Sequence, residues 1–311
     1  IVGLVLALII GFRVIKISKK FHIQQTILHY VDRHAGKSGT PTMGGVIFIL
    51  SSIIASLIFI RGKFYTPVLI LLAMLGYGVL GFLDDFIKIK YHKNEGLKPY
   101  QKIIGQVSLA LILAIFAYFN IGTSINLFGL EIDIGLFIIP FIVFFYVAVT
   151  NSVNLTDGLD GLAGGVSMVY LLIFGVIVAL LGESNYSIIS FALAGSLLGF
   201  LVFNCFPAKI FMGDTGSLAL GGAIASLAVF SRLELIMAII GIMFVLSALS
   251  DIIQVLYFKK THKRIFKMAP LHHHFEKNGV HENRIVAVYI IITLVCGLGS
   301  LIGYMFVTGV I

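Results

Sequence analysis

The sequence predicts an all-α polytopic membrane protein of about ten transmembrane helices, a single domain over residues 1–311 with both termini outside. Three observations predict it. Hydrophobic residues make up 59% of the 311 positions and charged residues only 12%, with a mean hydropathy of +1.06, far from the balance of a soluble domain. Apolar runs of the ~20 residues needed to cross the hydrocarbon layer recur along the whole chain. The third observation is charge asymmetry: 19 of the 22 Lys and Arg residues belong to one set of alternate loops, which makes those loops cytoplasmic.

Hydropathy, broken at charge and turn clusters, places spans near residues 1–15, 44–60, 67–83, 103–120, 135–151, 164–181, 187–203, 217–231, 235–257 and 285–305. The first run has no basic segment before it and no small-residue cleavage signal, so it reads as a span. Between the fourth and fifth spans, NIGTSINLFGLEIDIG (residues 120–135) alternates apolar and polar residues around Gly129 and predicts a small extracellular β-hairpin. Cys205 and Cys296 fall in or beside different apolar runs and imply neither a disulfide nor a zinc framework. All nine histidines and Asp84, Asp85, Asp157, Asp160 and Asp214 lie on the inside loops. A carrier or channel would place ionisable groups at mid-membrane depth, where Asp251 is the one clear carboxylate. The chemistry is therefore expected on the cytoplasmic face.

Four inside loops carry that chemistry. GYGVLGFLDDFIKIK (residues 76–90) ends a span with the adjacent carboxylates Asp84 and Asp85 and with Lys88 four residues after Asp84. Adjacent carboxylates repel unless a cation sits beside them, and Mg²⁺, a hard cation that shares oxygen ligands with phosphates, suits them; a solvated helix end neutralised by Lys88 is the plainer explanation. NSVNLTDGLDGLAGG (residues 151–165) brings Asn154, Asp157 and Asp160 together with glycines that open a helix toward an anion; taken alone, it is also an interhelical loop with two capping residues. NCFPAKIFMGDTGSLALGG (residues 204–222) supplies Asn204, Lys209 and Asp214, with Gly213 and Gly216 bracketing the aspartate, which serves as a metal ligand or simply as a helix cap. HAGKSGTPTMGG (residues 34–45) has Lys37 and Thr42 among glycines but not the full spacing of a nucleotide-binding P-loop. Together these loops predict a phosphate-plus-magnesium site.

The run PLHHHFEKNG (residues 270–279) is internal, which speaks against a purification tag. Consecutive residues diverge by about 100° on a helix, so His272, His273 and His274 do not converge on zinc. Imidazole N–H groups aimed at a phosphate or nucleotide fit the setting better.

Taken in order, GTPTMGG, LDDFIK, NLTDGLDGLAGG, FMGDTGSLALGG and PLHHHFEKNG resemble the phospho-N-acetylmuramoyl-pentapeptide transferases, within the superfamily of polyprenyl-phosphate N-acetylhexosamine-1-phosphate transferases. The HHHFE run points to the muramoyl-pentapeptide branch. Gly279-Val280 stands where that family carries Gly-Trp, and the chain has no Trp. The resemblance implies a homodimer in the bacterial plasma membrane with a cytoplasmic active site. It implies transfer of phospho-MurNAc-pentapeptide from UDP-MurNAc-pentapeptide to undecaprenyl phosphate, giving lipid I and UMP, with Mg²⁺ as cofactor and no role for nucleic acid. By matched motif it assigns catalytic roles to Asp84, Asp85, Asp214, His272 and His273, with Asp214 the Mg²⁺ ligand. Lys37, Thr42, Asn154, Asp157, Asp160, Asn204, Phe211, Gly213 and His274 are assigned to substrate binding. Direct attack by the lipid phosphate and a covalent phosphoryl-aspartate at Asp84 or Asp85 both remain open from sequence. The competing functions are a sibling transferase using UDP-GlcNAc and, more distantly, a membrane transporter.

Overall fold

A computed structural model describes residues 1–21, 23, 39–62, 64–91, 96–127 and 130–307. Within them the chain forms helices α1 (Val2–Lys20), α2 (Gly45–Phe59), α3 (Tyr65–Tyr91) and α4 (Pro99–Asn120), then an antiparallel hairpin of β1 (Ser124–Leu127) and β2 (Leu130–Asp133). Eight further helices follow: α5 (Ile138–Thr156), α6 (Leu162–Leu180), α7 (Ser184–Asn204), α8 (Gly213–Phe230), α9 (Glu234–Ile240), α10 (Ile242–Thr261), α11 (Leu271–Lys277) and α12 (Glu282–Val307). Eight of the helices are long and apolar enough to cross a membrane: α3 to α8, α10 and α12. The expected spans 1–15 and 44–60 correspond to α1, whose last turn is basic, and to the shorter apolar α2. The expected ninth span, 235–257, divides at Gly241 into α9 and α10.

Several helices outrun the apolar segments that announce them. The lengthened ends bear the polar residues of interest. α3 continues through Asp84 and Asp85 to Tyr91, α5 continues through Asn154, and α8 begins at Gly213, so Asp214 lies in its first turn. Hydropathy registers only the part of a helix in hydrocarbon; backbone hydrogen bonding does not stop where the apolar residues do.

The centre of the bundle is α8, buried on nearly every residue from Thr215 to Phe230 and flanked by α2, α3 and α5. Its sequence is mostly Gly, Ala, Ser and Leu, and small side chains let neighbouring backbones approach where no hydrophobic force separates helix from lipid. At Gly81 of α3 the approach is closest: a Cβ there would lie 2.0 Å from the carbonyl oxygen of Asp214. That contact brings the last turns of α3 against the first turn of α8. The hairpin lies at the opposite end of the bundle, where Arg232 pairs with Glu131 of β2 at 3.6 Å. Replacing Gly81 with leucine should force α3 and α8 apart, lowering stability by about 1–3 kcal/mol as overpacked cores do. Thermal melting of the detergent-solubilised protein should show the loss, and an unchanged melting temperature would refute the close packing.

Candidate active site

Asp84, Asp85 and Asp214 each offer a carboxylate oxygen within a 4.8 Å cluster, gathered from α3 and α8. Asp85 is 2% exposed, and its two oxygens are committed to the start of α8. Oδ1 accepts from the Asp214 amide at 3.2 Å, and Oδ2 accepts from the Thr215 amide at 2.9 Å and the Thr215 hydroxyl at 2.7 Å. A carboxylate seated on free N–H groups at a helix N-terminus is favoured by those donors and by the helix dipole.

Asp84 and Asp214 face lysines instead. Asp84 Oδ1 accepts from the Leu97 amide at 2.9 Å. Its Oδ2 lies 2.6 Å from Lys88 Nζ but is not aligned to accept a hydrogen bond, leaving a buried oxygen with charge contact only. Lys88 Nζ also reaches Asp214 Oδ2 at 2.9 Å, and Lys102 from α4 reaches the same oxygen at 2.9 Å. Asp214 Oδ1 accepts from Asn154 Nδ2 at 2.7 Å, and that amide also donates to Ser217 at 2.8 Å. Two ammonium groups and a side-chain amide thus converge on one carboxylate, which keeps it anionic despite burial.

The other expected residues form a rim. Gly213, at φ 74°, lies against Asp85 Oδ2 and Thr42 Oγ1. The Thr42 hydroxyl is buried without a hydrogen-bond partner. Phe211 joins two strands of loop, its amide donating to Pro41 O and its carbonyl accepting from the Gly44 amide, both at 2.8 Å. Asn204 pins the 157–161 turn to the segment before α8, accepting from the Gly161 amide at 3.1 Å and donating to Ile210 O at 2.9 Å. Asp160 accepts from the Ala208 amide at 3.0 Å, while its own amide donates to Glu282 at the start of α12. Asp157, just past α5, has a carboxyl held well above the usual carboxylate range by burial and by the charges of Asp214, Asp85 and Asp160. Lys37 lies outside the described residues.

The three histidines have different surroundings on α11. His272 is fully buried, with neither ring nitrogen hydrogen-bonded. It packs against His273 and Tyr289, and its Nε2 sits so close to Gly158 that a Cβ there would lie 2.2 Å away. Burial, with His273 beside it, pushes its pKa down to about 3. His273 meets Glu276 at 3.0 Å. His274 holds the preceding loop, its Nδ1 accepting from the Lys267 amide at 3.1 Å and its Nε2 lying 3.1 Å from Asn278. Asp251 lines a separate cavity of about 570 Å³ between α10 and the 264–269 loop, walled also by Lys259, Arg264, Lys267, Lys277, Val255 and Phe258.

Sequence reasoning missed Lys102 as a site residue and treated Lys88 only as a neighbour of Asp84. The signal for Lys88 was its i,i+4 spacing. Nothing local marked Lys102, which meets Asp214 across 112 residues of sequence.

Hard carboxylate oxygens, lysines and helix N-terminal amides on one end of an apolar bundle are the equipment of a membrane-embedded site for charged, phosphate-like groups. The match to glycosyl transferase family 4 covers residues 67–232, from α3 to the end of α8, and the phospho-N-acetylmuramoyl-pentapeptide-transferase signature 1 covers residues 37–49. Proteins named phospho-N-acetylmuramoyl-pentapeptide-transferase are similar over most of the chain. That of Thermoanaerobacter sp. (strain X514) is 52% identical over 84% of this chain and 83% of its own length. Those of Clostridium perfringens (strain 13 / Type A) and Desulfitobacterium hafniense (strain DSM 10664 / DCB-2) are 47% and 44% identical, over 95% and 97% of this chain and 94% and 96% of their own lengths. The chain belongs to the phospho-N-acetylmuramoyl-pentapeptide-transferase family and is a multi-pass membrane enzyme of that transferase type.

Burial of His272 has a measurable consequence in pH. Its folded pKa of about 3 lies below the ordinary 6.5, so the unfolded chain binds the extra proton first and stability falls as pH drops below about 6.5. Between pH ~8 and pH ~5.5 the loss should be on the order of 1 kcal/mol. Melting curves of wild type and His272→Gln at both pH values test this; an equal pH slope in the two proteins would exclude His272 as the source.

Proposed function

We propose that this enzyme transfers phospho-MurNAc-pentapeptide from UDP-MurNAc-pentapeptide to undecaprenyl phosphate in peptidoglycan synthesis, releasing UMP and forming lipid I at the cytoplasmic face of the bacterial plasma membrane. Family membership at 44–52% identity over most of the chain carries the reading. Ten spans, with α1, α2 and the α9–α10 pair completing the count, and a homodimer belong to the same proposal.

Two phosphates of like charge must meet, so neutralisation is the first requirement. Asp84 and Asp214, with carboxylate oxygens within 4.8 Å of one another, are hard donors of the kind Mg²⁺ takes, and Asp85 holds the helix that presents Asp214. The buried Thr42 hydroxyl, without a hydrogen-bond partner and beside Gly213, fits a further polar group at the rim. Asp214 is the principal ligand in this reading. Bound there, Mg²⁺ would neutralise pyrophosphate charge and improve UMP as a leaving group.

The chain's own groups do the rest. Lys88 and Lys102 are placed to exchange Asp214 for phosphate oxygens when substrate enters, and Lys37 and His273 add positive or donor groups at the rim. Asp157, Asp160, Asn204, Phe211 and Gly213 shape the nucleotide side. His272 supports the turn at Gly158, and His274 fixes the loop before it. The acceptor's phosphate has to reach the carboxylate cluster itself, beside Asp84 and Lys88, for its oxygen to attack there.

In the step itself an oxygen of the lipid phosphate attacks the sugar-linked phosphorus, and the bond from that phosphorus to the bridging oxygen of UMP breaks. Asp85 is a poor nucleophile because both its oxygens already cap α8. Asp84, with one oxygen less well satisfied, is the base that takes the acceptor's remaining proton, a modest task for a phosphate with a second pKa near ~6. UMP release from UDP-MurNAc-pentapeptide and UDP-GlcNAc, each with undecaprenyl phosphate and graded Mg²⁺, tests the reading. Asp214→Asn should lower turnover by at least about 10²-fold; activity confined to UDP-GlcNAc, or a phospho-enzyme formed without acceptor, would defeat it.

A further inference from the structure

Inside the bundle, one turn deeper than the site, two amides face each other across α4 and α5. Gln106 is fully buried; its Nε2 donates to Asn151 Oδ1 at 3.4 Å, and Asn151 Nδ2 donates back to Gln106 Oε1 at 2.7 Å. The backbone carbonyl of Gln106 also accepts from the hydroxyl of Tyr77 on α3 at 3.1 Å. One residue therefore ties together three helices. Each of those helices delivers a charged or polar group to the carboxylate cluster from the same face. Lys102 stands four residues before Gln106, Asn154 three after Asn151, and Asp84 seven after Tyr77, all spacings that repeat on one side of a helix. Lys102 and Asn154 then meet on the two oxygens of Asp214, at 2.9 and 2.7 Å.

We propose that the Gln106–Asn151 amide pair is a positioning device: it fixes the register of α4 against α5, and so sets where Lys102 and Asn154 hold Asp214. Neither amide touches the cluster. The reciprocal pairing is satisfied only at one axial offset of the two helices, whereas the surrounding apolar contacts tolerate sliding. An unpaired amide at this depth is costly, so the pair enforces a single register. The proposal rests on reading Asp214 as the metal ligand, and its test separates the two.

The variants are Gln106→Ala, Asn151→Ala and the exchange Q106N/N151Q, which keeps both amides and their combined length. Phe174→Leu is the control, since Phe174 is fully buried on α6, a helix that brings no group to Asp214. UMP release gives kcat and KM, Mn²⁺ titration followed by electron paramagnetic resonance gives metal affinity without turnover, and melting gives stability. The alanine variants should lose kcat by about 10- to 100-fold, as small misplacements of catalytic groups do, with weakened Mn²⁺ binding and little change in KM. The exchange should restore most of both, and Phe174→Leu should lower only the melting temperature. Alanine variants that melt earlier yet keep wild-type kcat and Mn²⁺ affinity would overturn the proposal, as would an exchange variant no better than either single one. Should wild type bind no Mn²⁺ while the kcat losses and rescue persist, the metal reading fails and the positioning role stands.

Discussion

The structure depends on holding three carboxylates together where little water reaches them. Asp84 and Asp85 are 3% and 2% exposed, and Asp214 lies beside them. Like charges this close would drive one another to protonate or push the helices apart. Here opposing groups come from four directions: Lys88 from α3, Lys102 from α4, Asn154 from α5, and the backbone of α8's own first turn. Lys88 and Lys102 share one oxygen of Asp214, Asn154 takes the other, and the α8 amides take Asp85, so the cluster is stable only when all these helices are in register.

That requirement accounts for the composition of the packing around it. α8 must lie near enough to α3 for its first amides to reach Asp85, which explains the small residues along α8 and the absence of a side chain at Gly81. Polar ties run in the same direction. Asn204 and Asp160 fasten the 157–161 turn to the chain entering α8, and Phe211 fastens that chain to the segment before α2. Loops that would otherwise wander are thus carried on rigid elements, the condition a site needs if its groups are to hold sub-ångström positions.

The apolar helices, the hairpin and the presence of clustered carboxylates were legible in sequence because each has a local signature: an apolar run, an alternation, or acidic residues in a sequence that has few. The partners were less so. Lys88 was readable from its four-residue spacing to Asp84, whereas Lys102 was one basic residue among many at helix ends. Gln106 and Asn151 were invisible, since a single amide in an apolar span acquires meaning only from the facing helix. Asp85 illustrates the same limit: its adjacency to Asp84 implied a matched pair, and only the approach of α8 reveals that it is spent on capping. The extent of α3, α5 and α8 was underestimated because hydropathy follows the membrane and not the hydrogen-bond ladder.

Two neighbouring aspartates on one helix therefore have different duties. Successive residues point about 100° apart, so Asp84 and Asp85 cannot address the same partner in the same way. Asp85 turns to the amides of α8 and gives up both its oxygens. Asp84 turns toward Lys88 and the amide of Leu97, leaving one oxygen with charge contact but no aligned donor. Of the pair, the first organises the entry of α8 and so places Asp214; the second retains capacity for a proton or a ligand. A residue that must cap a helix cannot also form a bond to phosphorus without releasing that helix and moving Asp214. A covalent intermediate on Asp85 would dismantle the cluster that makes the chemistry feasible, so the packing assigns whatever chemistry the pair performs to Asp84 and the helix entry to Asp85.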